Sequence, residues 1–257
     1  MTRSGVRRAA GSPPRLGVKG RERNPASALI LALDLGTTGN RAILFDRNLN
    51  IVRSAYQEFK QYFPKPGWVE HDPEEIWKST QAVIRKATAG IDAGRIAGIG
   101  ITNQRETVVL WDRKTSRPVH KAIVWQDRRT SNVCQALKKR GLEAGVHKKT
   151  GLFLDPYFSA TKIAWLLDHV PGLRRRAAQC DIAFGTIDTW IIWKLSGGAA
   201  HITDSSNASR TLLYDLRAKK WSRELCQLFR VPLNLLPKIM PSSGVVAQTF
   251  PTLLGRA

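Results

Sequence analysis

Ile96-Ala97-Gly98-Ile99-Gly100-Ile101-Thr102-Asn103-Gln104-Arg105-Glu106-Thr107 changes character halfway along. Its apolar and glycine residues, Ile96 to Ile101, read as a strand buried on both faces. Arg105 and Glu106 then stand where that strand should leave its sheet. In open α/β sheets, ligands sit outside the carboxyl ends of the strands. An Arg beside a Glu sets a fork of donors next to an acceptor, which suits a small polyhydroxy compound. A surface ion pair of little energetic worth has the same spacing, and the stretch alone does not separate the two readings.

A second apolar run, Ala28 to Leu33, ends in Asp34-Leu35-Gly36-Thr37-Thr38-Gly39-Asn40-Arg41, and Ala42 to Phe45 follows at once. This pattern predicts a hairpin with a polar, glycine-containing turn. The Gly-Lys-Ser/Thr ending of a strand-to-helix phosphate loop is absent. The turn still has the chemistry of an anion site. Gly36 lets backbone amides approach closely, Thr37 and Thr38 add hydroxyls, and Arg41 adds positive charge. Asp34 is of the type that holds a hydrated Mg²⁺. Asp-x-Gly-Thr by itself fits an ordinary hairpin turn equally well.

Working outward, Ile51 to Phe59 predicts a third antiparallel strand, and Pro64 to Trp68 a turn-rich loop. Asp72-Pro73-Glu74-Glu75 is a helix start, with Asp at the N-cap and Pro first. Ile76, Trp77, Thr80, Val83, Ile84 and Ala87 form its apolar stripe, and Gly90 ends it. Val108 to Trp111 is expected to pair with the Ile96–Ile101 strand. The second half reads as mainly helical. Ser159 caps a helix carrying Ile163, Leu166, Leu167 and Val170, which Pro171-Gly172 stops. Thr186 caps another, ended by Gly197-Gly198, and a last helix spans Ser222 to Phe229. Trp165, Trp190 and Trp193 are expected in the core. Composition and element order alone give an α/β protein.

The chain has 257 residues and a formal net charge of +21. Residues 1–27, with seven Lys/Arg and one acidic residue, lack a core pattern and are expected to be a disordered basic extension. That stretch has no apolar secretory core. It fits an organellar transit peptide, a basic tail or an artefact of the chosen start codon. No stretch is apolar enough to span a membrane. The basic residues scatter rather than interleave with aromatics, so no nucleic-acid partner is expected. Cys134, Cys180 and Cys226 show no Cys-x-x-Cys spacing, so neither a disulfide framework nor a zinc site is expected; a reducing, cytoplasmic setting fits best.

Several stretches together resemble a known family. They are Pro64 to Pro73, Ile99 to Thr107, Ala122 to Gln126, Asp155 to Ser159, Phe184 to Trp190 and Thr203 to Thr211. Tyr157 to His169 also resembles a signature of the wider sugar-kinase group. Residues 28–257 are similar to the N-terminal, substrate-binding domain of glycerol kinases. These are carbohydrate kinases of the actin-like, ribonuclease-H-like fold, with a mixed sheet flanked by helices. The resemblance implies ATP and Mg²⁺ as cofactors and glycerol as substrate, converted to sn-glycerol 3-phosphate. It implies Arg105, Glu106, Trp125 and Tyr157 as substrate-binding residues. It also implies Thr37, Thr38, Gly39 and Arg41 at the phosphates, and Asp34 near the metal through water.

Gly39-Asn40 departs from the Ser-Ser found in many relatives, which removes hydroxyl contacts from the phosphate site. Asp204, Asn207 and Arg210 receive no role beyond structure. The family's general base, an Asp in a Gly-Asp-Gln motif, is absent from the sequence. The resemblance therefore implies a chain truncated before its nucleotide lobe and inactive alone, with the missing half or a second copy as partner. A non-catalytic glycerol-binding remnant is the alternative, and a different sugar kinase a further one.

Overall fold

A computed structural model describes residues 28–250, so the expectation for residues 1–27 lies outside the described residues. Strands Leu29–Leu35 (β1), Gly39–Phe45 (β2), Ile51–Glu58 (β3) and Glu70–His71 (β4) come first, then the helix Pro73–Thr88 (α1). Ile96–Asn103 (β5), Val109–Asp112 (β6) and Ala122–Ile123 (β7) follow. Helices Ser131–Lys139 (α2), Glu143–Thr150 (α3), Ser159–His169 (α4) and Leu173–Ala178 (α5) lead to Ile182–Gly185 (β8) and Ile187–Leu195 (α6). Ile202–Asp204 (β9) and Ser205–Ala208 (α7) precede a two-strand ribbon, a last helix at Arg223–Leu228 and a final strand at Lys238–Met240.

β1 and β2 form the expected hairpin, and β3 lies antiparallel to β2. β5 runs parallel to β1, giving a mixed sheet of order β3-β2-β1-β5. One face of this sheet, with Leu29, Leu31, Leu33, Leu35, Ala42 and Leu44, packs on Ile76, Val83, Ile84 and Ala87 of α1. Asp72 caps α1 as expected, its Oδ1 accepting from the Glu74 amide at 2.8 Å. A second core gathers Ile163, Leu166 and Leu167 of α4 with Phe184, Leu213 and Phe229. Trp190 and Trp193 are buried, whereas Trp165 is half-buried and stacks on His169. The three cysteines are free thiols.

Three expectations need correction. β5 is an edge strand among the described residues, with Ala97, Gly100 and Thr102 exposed, so it is not buried on both faces. Gly98 and Gly100 made the run read as apolar, but they bring no side chain to bury. Next, β6 pairs with β8, antiparallel, and not with β5. The amide of Gln104 extends the β5–β1 ladder to the Leu35 carbonyl (2.8 Å), and Glu106, at φ 64°, then redirects the chain. Finally, Ser159 is the first residue of α4 rather than its cap, and its hydroxyl donates to the Glu106 carbonyl at 3.1 Å. Thr186 does hold the cap position of α6, but its hydroxyl turns to the Asp188 carboxylate.

The β1–β2 turn is held by its carbonyls. Gly36 O accepts from Gln104 Nε2 (2.9 Å), Thr37 O from Gln61 Nε2 (3.0 Å) and Thr38 O from the Phe59 amide (3.3 Å). His71, fully buried, sits between Gln61 Oε1 (2.5 Å) and Gln104 Nε2 (3.3 Å). Since Gln61 Oε1 can only accept and Gln104 Nε2 only donate, the imidazole carries its proton on Nε2 and accepts at Nδ1. Asn40 is also fully buried. Its Nδ2 bonds Ile76 O (3.0 Å), Ser79 Oγ (2.6 Å) and Thr80 Oγ1 (2.9 Å), fastening β2 to α1.

Two outcomes follow from these buried groups. Asn40→Ala should lower the stability measured by urea unfolding by about 1–3 kcal/mol, since it strips the link between β2 and α1. Burial pushes the His71 imidazole down to about 4 from 6.5. A group depressed in this way stabilises the fold above its unfolded value, and that contribution is lost as pH falls from 6.5 through 4. Melting curves from pH 7.5 to 4 should therefore show His71→Gln losing less stability on acidification than the parent, by on the order of 3 kcal/mol.

Candidate active-site cleft

The strand pairing brings the two functional stretches to one end of the sheet. Asp34 is the register partner of Arg41 on one side and of Thr102 on the other. Asp34, Thr38 and Arg41 are exposed there, and Thr37 is half-buried. The Asp34 carboxylate has no hydrogen-bond or ion-pair partner among the described residues, nor do the amides of Thr37 and Thr38 have an acceptor. The turn thus offers two backbone donors, two hydroxyls and a guanidinium. Gly36 is required for its tightness, because a Cβ there would come within 2.9 Å of Gly39 O. Asn40, the other departure from Ser-Ser, points into the core and is no part of this surface. No group of three His, Cys, Asp or Glu able to hold a metal exists among the described residues. A lone exposed carboxylate fits a magnesium ion held largely by water and phosphate oxygens.

Glu106 lies just beyond the end of β5. Its backbone is in the left-handed region, a costly conformation for a residue with a Cβ, and one that marks functional sites when the surroundings enforce it. Here Ser159 Oγ holds its carbonyl, and Arg210 Nε donates to its carboxylate at 2.6 Å. The Glu106 side chain is only 2 % exposed, so this ion pair is largely shielded from water. Arg105 behaves differently. The residue is exposed, and its guanidinium makes no hydrogen bond or ion pair to another described residue. Among the described residues the ion pair to Glu106 is made by Arg210, and the guanidinium of the adjacent Arg105 is left open.

Trp125 and Tyr157 form an aromatic wall, half-buried, with ring centroids 5.4 Å apart. The Trp125 amide donates to Thr107 Oγ1 (3.3 Å), next to Glu106, and its indole Nε1 donates to Thr37 Oγ1 (3.0 Å). One side chain thus joins the wall to the turn. The Arg210 guanidinium lies 5.8 Å from the Tyr157 ring centre and 4.9 Å from that of Phe158. Glu106, Arg210, Tyr157 and Trp125 are therefore one connected group, continuous with Thr37.

Charged groups brace the wall from behind. Lys162 is fully buried, and its Nζ donates to Pro156 O (3.1 Å) and Tyr157 O (2.5 Å), fixing the loop that carries Tyr157. Burial pushes its ammonium down to about 7, against the opposing pull of Asp127 and Glu106. After Trp125, Arg129 bonds Glu70 and Asp127 (both 2.8 Å), with the Trp68 and Trp165 rings 3.8 and 4.6 Å from its guanidinium. Arg210, Ser159 and Lys162 are the residues that sequence reasoning missed as site residues. Arg210 lies 104 positions from Glu106, and the sequence singled it out, with Asp204 and Asn207, only as part of a polar stretch with no role beyond structure.

Residues 29–256 match the N-terminal domain model of the FGGY family of carbohydrate kinases. The chain is 56% identical over 231 residues to a glycerol kinase of Brucella ovis, covering 89% of this chain and 46% of that protein. It is 56% identical over 222 residues to a glycerol kinase of Bacillus licheniformis, covering 86% and 45%. It thus spans about half the length of the curated relatives it matches. Among solved structures it superposes on Plasmodium falciparum glycerol kinase with ADP at TM-score 0.83 and 34% identity, covering 88% of this chain and 46% of that one. A gluconate kinase from Lactobacillus acidophilus gives TM-score 0.81 at 26% identity, covering 90% and 46%. The architecture is therefore the actin-like, ribonuclease-H-like α/β fold of these kinases. The chain belongs to the FGGY family of carbohydrate kinases.

Proposed function

We propose that this chain supplies the substrate-binding half of an ATP-dependent glycerol kinase. The observation that carries the reading is the strained, buried Glu106, paired with Arg210 beside the Trp125–Tyr157 wall. Glycerol has three hydroxyls and little apolar area. Selectivity for it must come from hydrogen bonds whose loss would leave buried groups unpaired. Glu106 accepts from a substrate hydroxyl, and Arg105, at the exposed edge of the same loop, donates to another. Trp125 covers the carbon chain, and Tyr157 adds a hydroxyl. The glycerol kinases among its relatives support this substrate over a larger sugar.

In this reading the terminal phosphate of ATP lies at the turn, against Thr37, Thr38, Gly39 and Arg41. Asp34 holds Mg²⁺ through water, and the metal supplies charge neutralisation at the phosphate oxygens. Phosphoryl transfer is mostly positioning and electrostatic stabilisation, and the shared Trp125–Thr37 contact sets the two substrates side by side. The general base and the adenine site come from a part of the enzyme outside these 257 residues. The chain alone is expected to bind glycerol weakly and to show no turnover in a coupled kinase assay.

The test is an NMR titration of the Trp125 indole N–H with glycerol. The parent chain should shift saturably at millimolar or higher glycerol. Arg210→Met should weaken binding about tenfold, because it leaves the Glu106 carboxylate without its cation. Glu106→Gln should do the same, and the double variant should lose little more than either single change, since the two residues act as one unit. No response to glycerol, with a response to a pentulose or hexulose instead, would move the assignment to another sugar kinase. No response to any of them would end the substrate-site reading.

A further inference from the structure

The turn lacks a side chain at Gly39, and the space is filled from β3. Tyr56 is the register partner of Arg41, so its side chain rises from the same face of the sheet as Asp34, Gly39 and Arg41. A Cβ on Gly39 would lie 2.6 Å from the Tyr56 hydroxyl oxygen and 2.7 Å from Gln57 O. The phenol therefore lies directly over the Gly39 backbone. Its hydroxyl is 3.5 Å from Thr38 Oγ1, and the Arg41 guanidinium is 5.4 Å from its ring centre. Tyr56 as a residue remains 45% exposed, so the fold does not seal it off beside the turn. Arg41 has no carboxylate within ion-pair distance among the described residues, although Asp34 and Glu58 share the face.

We propose that the Tyr56 hydroxyl is an anion-binding group of the Gly36–Gly39 turn, donating alongside Thr38 to the same phosphoryl group. A phosphoryl group carries three strong acceptor oxygens, and two hydroxyls this close can serve neighbouring ones. The aromatic ring holds the hydroxyl in place with two side-chain torsions, lying across a glycine and beside a guanidinium. Tyr56 thus supplies from the neighbouring strand the hydroxyl that Gly39 cannot carry. This inference rests on the assignment of the turn to phosphate under the proposed function.

Calorimetric titration of the chain with magnesium tripolyphosphate tests it, with Arg41→Met as the variant that reports on the turn itself. The parent chain should bind, Arg41→Met should abolish the signal, and Tyr56→Phe should bind about tenfold more weakly, as expected for one lost hydrogen bond to a charged group. Tyr56→Phe keeps the ring over Gly39, so a purely structural role predicts unchanged affinity. The Tyr56 ring carbon signals should also shift on adding tripolyphosphate, in step with binding. If the parent and Arg41→Met differ while Tyr56→Phe matches the parent, the Tyr56 inference is overturned and the phosphate turn stands. If the parent does not bind, both fall.

Discussion

Strand β1 pairs antiparallel with β2 and parallel with β5, so the β1–β2 turn and the C-terminal end of β5 lie at the same end of the sheet. The Gln104 amide, bonded to Leu35 O, continues that ladder one residue past β5, and the Gln104 side chain then reaches Gly36 O. A single residue so fixes the distance between the candidate phosphate turn and the loop carrying Glu106. Shifting β5 by one residue would turn its side chains to opposite faces and break both contacts. Gln61, half-buried and bonded to the buried His71, secures the far side of the turn, so the turn's carbonyls are all engaged while the Thr37 and Thr38 amides stay free.

Buried charge gives the cleft its shape at an energetic cost. Glu106 with Arg210, and Arg129 with Glu70 and Asp127, are shielded ion pairs, while Lys162 rests on two carbonyls. Such arrangements rarely stabilise a fold more than apolar packing of the same volume, because desolvation offsets the attraction. What they do provide is direction. Each one fixes a part of the cleft: Arg129 the loop after Trp125, Lys162 the loop of Tyr157, and Arg210 the carboxylate of Glu106. The left-handed backbone at Glu106 belongs to the same pattern, because Ser159 and Arg210 hold from two sides a conformation the residue would not choose alone.

Local features were legible in the sequence. The β1–β2 hairpin, the third strand, the Asp72 cap and the α1 stripe each depend on residues within a few positions of one another. The misread features depend on partners. Hydrophobic periodicity reports that a strand has an apolar face but not which strand lies beside it, so β6 was assigned to β5 when it pairs with β8. Ser159 looked like a cap because serine often is one, yet its hydroxyl is used 53 positions away on Glu106. Glu106 takes its ion-pair partner from Arg210, 104 positions away, a contact that no local pattern announces.

Trp125 shows why these distant partnerships matter for the proposed chemistry. Its ring faces Tyr157, its amide is held by Thr107 beside Glu106, and its indole nitrogen is held by Thr37 in the turn. An aromatic wall built only to cover a carbon chain would need no polar tether at its far end. Tethering the indole to Thr37 makes the position of the wall depend on the position of the turn, and the converse holds as well. Two groups that must meet in line for phosphoryl transfer are thereby located by one rigid side chain rather than by two independent loops. Thr37 accepts from the indole and so keeps its own proton free to donate outward, which lets one hydroxyl serve the wall and an anion at once.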